Sequence, residues 1–131
     1  MTRLLLVALG GALGSMARYG AGVGAARLFP ASTWPWGTLT VNVAGGLAMG
    51  LLVGWMGLKA GAGQETVRAF AAVGLLGGFT TFSAFSLETV QLIERREYGL
   101  ACAYVLLSVV LAVAALMAGL MSARRAFGDA L

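Results

Sequence analysis

The chain has 131 residues, 60% of them hydrophobic and only 11% charged, where an ordinary soluble domain carries roughly 25% charged residues. That is too little polar surface to coat a globule, so the composition reads as an integral membrane protein. A single cysteine and no histidine rule out an internal disulfide and argue against a metal cluster, and the net charge of +4 comes without any run of like charge that would point to nucleic acid.

Charged positions divide the sequence into four apolar spans, roughly residues 4–26, 36–57, 68–93 and 100–122. Each holds the roughly 20 residues that a helix needs to cross about 30 Å of hydrocarbon. The links are short: Phe29-Pro30 with Trp34-Pro35-Trp36, then KAGAGQE, then ERREYG. The reading is one all-α transmembrane domain over residues 1–131, with no room for a soluble one. The N-terminus, MTRLLLVALGGALGSMA, has the basic start and apolar core of a secretory signal. Its apolar character continues past Ser15, so it is read as the first span rather than as a cleaved leader.

In the first span Gly10, Gly14, Arg18 and Gly22 recur every four residues, along one stripe of a helix. The second span repeats the device with Thr38, Asn42, Gly46, Gly50 and Gly54. Small residues at this spacing let helix backbones approach closely in lipid. Packing does not explain Asn42, whose amide needs partners in the same interface; a plain interhelical hydrogen bond and a functional role stay open. Arg18 lies well inside its span, at a cost of about 2.5–3.5 kcal/mol on insertion scales. It either pins helix carbonyls near one interface or draws an anion into a vestibule, and position favours the first. Glu88 is read in the same architectural way, paired with Arg18 or bonded to hydroxyls. Trp34, Trp36 and Tyr98 read as interface anchors.

The third span contains the most informative stretch, GGFTTFSAFSLE from Gly77 to Glu88. Two glycines followed by the β-branched pair Thr80 and Thr81 disfavour helix. Unwound backbone inside a membrane is tolerated only where protein covers it or a polar cavity needs it. Phe82 and Phe85 then share one face of a resuming helix, with hydroxyls at Ser83 and Ser86 beside them. A broken helix that frees carbonyls for a cation, followed by paired aromatics and hydroxyls, is the anatomy of a mid-membrane ion site. In the fourth span Tyr104 and Ser108 stand one turn apart, and Ala112 and Leu116 continue that face without polar groups. Cys102, in an apolar run, reads as a small buried hydrophobe.

With four spans both termini lie on one side, together with Arg3, Lys59, Arg68, Arg124 and Arg125. The other side carries Arg27, Arg95 and Arg96. Five against three is a feeble positive-inside bias, so the chain is expected to insert in both orientations. Four short helices enclose little volume, and a central site then calls for a second copy, antiparallel to the first, with the two helix breaks facing across a two-fold axis.

GGALGSMARYG, GTLTVNVAGG and GLLGGFTTFSAFSLE together resemble, in order and spacing, the fluoride channels called Fluc or CrcB. The resemblance covers the whole chain. It implies an antiparallel dual-topology homodimer in the inner (plasma) membrane of a prokaryote. Such a channel passively exports fluoride from the cytoplasm through two pores and so protects the cell from its toxicity. It further implies a structural sodium ion at the dimer centre, held by carbonyls that correspond to Gly77 and Thr80. The pore phenylalanines correspond to Phe82 and Phe85, the pore asparagine to Asn42, the pore hydroxyls to Ser83, Tyr104 and Ser108, and the arginine to Arg18. Ala84 departs from the family's usual TTFSTFS, and with Ala112 it thins the polar track. Physics is compatible with the resemblance: aromatic ring edges are positive, and amide and hydroxyl donors replace part of an anion's hydration.

Two other classes compete. A small dual-topology proton-coupled multidrug exporter shares the size but needs an embedded acid, for which Glu88 is the candidate. A structural helix-packing protein explains the glycine stripes and leaves Asn42, the threonine pair and the phenylalanines idle. An enzyme is not expected, because no nucleophile–base pair is visible.

Overall fold

The computed structural model describes residues 1–58 and 63–128. The start of the KAGAGQE link, including Lys59 and its share of the charge bias, lies outside the described residues. The described chain is all-helical: α1 (Thr2–Leu28), α2 (Trp36–Leu58), α3 (Gln64–Val67), a π-helical segment (Arg68–Leu76), α4 (Gly77–Phe79), α5 (Phe82–Glu94) and α6 (Tyr98–Gly128). Four stretches are long and apolar enough to cross a membrane: Thr2–Leu28, Trp36–Leu58, Gln64–Glu94 and Tyr98–Gly128. The third is therefore assembled from α3, the π segment, α4 and α5.

The ends follow from local chemistry. Pro35 precedes α2, where a missing N–H costs nothing, and its carbonyl accepts the Leu39 N–H at 3.1 Å. Ser32 Oγ accepts from both the Trp34 backbone N–H and Trp36 Nε1, each at 3.1 Å, and shapes the turn into that helix. The turn between α5 and α6 is a Schellman arrangement. Glu97 N donates to Leu92 O and Arg96 N to Ile93 O, each at 2.9 Å, with Arg96 in the left-handed region at φ 60°. An arginine there sacrifices the ease that glycine would give.

Packing falls into two tight pairs, α2 with α6 and α1 with the third span. A Cβ added at Gly50 would strike Leu116 O, and one at Gly119 would strike Leu47 O, so these two backbones touch. On the other pair, a Cβ at Gly14 would strike Leu75 O and one at Gly78 would come within 2.6 Å of Gly11 O. Lipid offers no hydrophobic drive for helix pairing, so such van der Waals contact is what holds the bundle. Gly46, Gly50 and Gly54 face α6, whereas Gly22 meets Gly37 at the start of α2 rather than the third span. The π-helical turn from Arg68 to Leu76 has no counterpart in the sequence periodicity; such segments concentrate near functional positions.

Candidate functional site

Between α4 and α5 the backbone is extended: Thr80 has φ −82° and ψ 156°, and Thr81 has φ −152° and ψ 122°. The two β-branched residues suit this conformation. Their hydroxyls bond locally. Thr80 Oγ1 donates to Leu76 O at 2.9 Å, beside the 3.0 Å bond from its own N–H. Thr81 Oγ1 accepts from Ala84 N at 3.2 Å and so caps α5.

The neighbouring helices complete the accounting. Asn42 reaches from α2 and bonds Thr81 in both directions: Oδ1 accepts the Thr81 N–H at 2.8 Å and Nδ2 donates to Thr81 O at 3.0 Å. Arg18 reaches from α1 and donates through Nε to Gly78 O at 3.0 Å. In an unbroken α-helix Thr81 N would close onto Gly77 O and Ala84 N onto Thr80 O. Here the first donor is taken by Asn42 and the second by the Thr81 hydroxyl. The carbonyls of Gly77 and Thr80 are thereby left without their helical donors. No group of three His, Cys, Asp or Glu occurs among the described residues, so the oxygens that suit a hard cation at this point are those of the main chain.

Around this stretch lies a groove of about 440 Å³ whose lining includes Asn42, Thr80, Phe82, Phe85, Ser108 and Ala112. Phe82 is 78% exposed, and its ring lies 5.4 Å from that of Phe85, tilted by 44°. Phe85 in turn lies 5.3 Å from Tyr104. Ser108 also lines the groove, with its Oγ buried. Beyond the phenylalanines, Glu88 is bound by hydroxyls from two other helices. Thr38 Oγ1 donates to Oε1 at 2.6 Å and Tyr104 OH to Oε2 at 2.7 Å. A second, smaller pocket opens beside Glu88 and is lined by Ser32, Gln91 and Arg95.

A family model described as CrcB-like protein, Camphor Resistance (CrcB), matches residues 5–120. The chain belongs to the CrcB family. Relatives across its full length carry a functional name. It is 61% identical over 127 residues to the fluoride-specific ion channel FluC of Caulobacter sp. (strain K31), covering 97% of this chain and 98% of the relative. It is 58% identical to that of Phenylobacterium zucineum (97% and 99%) and 47% identical to that of Agrobacterium fabrum (97% and 100%). Ion channels are not enzymes, and this CrcB chain is one of a family of bacterial multi-pass membrane proteins.

In this CrcB chain the residues singled out by sequence do not all meet. Asn42, Thr80, Phe82, Phe85 and Ser108 share the groove; Gly77 and Ser83 are exposed on the surface near it, and Ser83 Oγ lies 3.3 Å from Thr81 Oγ1. Tyr104 is fully buried, and its hydroxyl serves Glu88. Arg18 and Glu88 do not pair: the arginine holds a carbonyl and the acid takes hydroxyls. Ser86 bonds back to Phe82 O at 2.9 Å. Cys102 is exposed rather than buried. Two participants were not singled out as site residues. Thr81 is both a cap and the partner of Asn42, and a threonine three residues ahead of Ala84, at a helix start, was the available signal. Thr38 stands one turn before Asn42 on the same stripe, which marks it as facing the same neighbours.

Proposed function

We propose that this chain is a fluoride-selective channel that works as an antiparallel, dual-topology homodimer in the plasma membrane. In this reading two pores run past a structural sodium ion at the dimer centre. The observation that carries the reading is the pair of Gly77 and Thr80 carbonyls without their helical donors, next in sequence to an exposed Phe82 ring. Bare main-chain oxygens are costly in lipid, and a second copy covering them would remove that cost. The Gly77 and Thr80 oxygens of the two copies would hold the cation, which supplies a fixed positive field without a basic side chain in the pore.

Each residue then has a task toward the anion. Phe82 and Phe85 offer positive ring edges. Asn42 lines the groove and has two Nδ2 protons, of which one goes to Thr81 O, so the other is left to offer an anion. Ser108 adds a hydroxyl in the groove wall. Several weak contacts in series, rather than one tight one, let fluoride enter and leave. Export is passive and down the gradient, which protects the cell from fluoride. Ala112 and Ala84 leave the track with few hydroxyls, so conduction rests more heavily on the phenylalanines. The drug-exporter reading gains no support from Glu88, whose two oxygens are already engaged by Thr38 and Tyr104.

The test is fluoride efflux from loaded liposomes, measured against chloride. Wild-type protein should pass fluoride and exclude chloride, and Phe82→Ile or Phe85→Ile should abolish flux in folded protein. Equal fluoride and chloride flux, or unchanged fluoride flux in both variants, would refute the assignment.

A further inference from the structure

Asn42 has a second role that its place beside the groove does not reveal. We propose that Asn42 is a positioning residue for the main-chain oxygens that would hold the cation, and so couples the anion path to the cation site; this rests on the functional reading above. The argument is one of hydrogen-bond accounting. In a continuous helix Gly77 O would accept the Thr81 N–H; here Thr80 is extended, at ψ 156°, and Asn42 Oδ1 holds that N–H at 2.8 Å. Nδ2 at 3.0 Å from Thr81 O completes a two-point clamp, which fixes the peptide planes on both sides of Thr81 and not merely one atom. Thr81 is nine-tenths buried, so without the clamp its N–H faces no water and must find a protein acceptor. The nearest acceptor by helical geometry is Gly77 O, and closing that bond would withdraw the oxygen from any ion.

The surrounding packing makes the clamp decisive. A Cβ at Gly45, one turn from Asn42 on α2, would strike the Thr80 methyl, so α2 lies directly against the extended pair. Arg18 satisfies Gly78 O from the opposite side, on α1. Among the described residues Asn42 is the one side chain that bonds both the donor and the acceptor of Thr81. Asn42 accordingly does two separable things: Oδ1 keeps the Thr81 N–H off the Gly77 oxygen, and the second Nδ2 proton is left for the anion path.

These functions come apart in three purified variants, each measured for fluoride efflux and for the shift in thermal unfolding when sodium replaces choline. Asn42→Leu keeps the volume and loses both bonds. The sodium concentration that gives half the wild-type stabilisation should rise about tenfold, the equivalent of one net hydrogen bond, and flux should vanish. Asn42→Asp keeps an oxygen for Thr81 N and should retain the sodium response while losing flux. Phe82→Ile should likewise retain the response and lose flux. A wild-type sodium response in Asn42→Leu overturns the proposal and leaves Asn42 as a groove residue alone. If Asn42→Leu does not fold, Asn42→Asp decides: a sodium response lost in that folded variant overturns it equally. Wild-type protein that ignores sodium while conducting fluoride removes the cation reading itself, and this proposal with it.

Discussion

The α2–α6 seam and the stretch between α4 and α5 meet the same requirement, dense contact in a solvent that gives helices no reason to associate, by opposite means. The seam removes side chains: Gly50 and Gly119 bring backbone to backbone, and every main-chain bond stays inside its own helix. The extended stretch gives up helical bonds at Thr80 and Thr81 and replaces them with side chains, Asn42 from α2 and Arg18 from α1. The first device tolerates no added atom and carries no chemistry. The second tolerates exposure, as at Phe82, and draws polar side chains from two neighbouring helices. Stability and function are therefore largely housed in different places.

Substitutions sharpen that division, beginning with the most damaging. Gly50→Leu places a side chain against Leu116 O and the Leu120 backbone, where nothing flexible yields. Overpacking costs about 1–3 kcal/mol even where neighbours adjust, so this variant should fail to accumulate as folded protein in membranes. Arg18→Gln removes the charged donor to Gly78 O. With a side chain partly exposed, the loss should lie at or below the about 1.5–3 kcal/mol range of such bonds, read as a lower unfolding temperature. Thr38→Val leaves Glu88 Oε1 without its hydroxyl and should cost about 1 kcal/mol. Ser86→Ala deletes only a bond to the residue's own preceding turn and should change stability by less than about 0.5 kcal/mol, with fluoride flux retained. A Gly50→Leu protein as stable as Ser86→Ala would dissolve the contrast between the two regions.

Much of this was readable in the sequence because lipid imposes few solutions. Four apolar runs give four helices, and glycine at four-residue spacing gives close seams; Gly14, Gly46 and Gly50 behave accordingly. Thr80 and Thr81 announce poor helix through β-branching, and Asn42 announces an unmet polar need. What stayed hidden were partners across helices. Spacing says that Asn42 faces something, not that it faces both polar groups of Thr81. Nor does it choose between Arg18 as partner of Glu88 and Arg18 as donor to Gly78 O, because side-chain reach of that length crosses more than one helix turn. Tyr104 shares a face with Ser108, yet its hydroxyl goes to Glu88 and it does not line the groove. The π-helical segment left no periodic trace at all.

The central claim, that the stretch at Thr80 and Thr81 lends Gly77 and Thr80 oxygens to a cation between two antiparallel copies, is tested most directly by a crystal structure of the membrane-extracted protein with thallium in place of sodium. The account predicts one anomalous peak on the two-fold axis, within coordination distance of Gly77 O and Thr80 O from both copies, with Thr81 N still on Asn42. A continuous helix in which Thr81 N closes onto Gly77 O, with no peak on the axis, would contradict it.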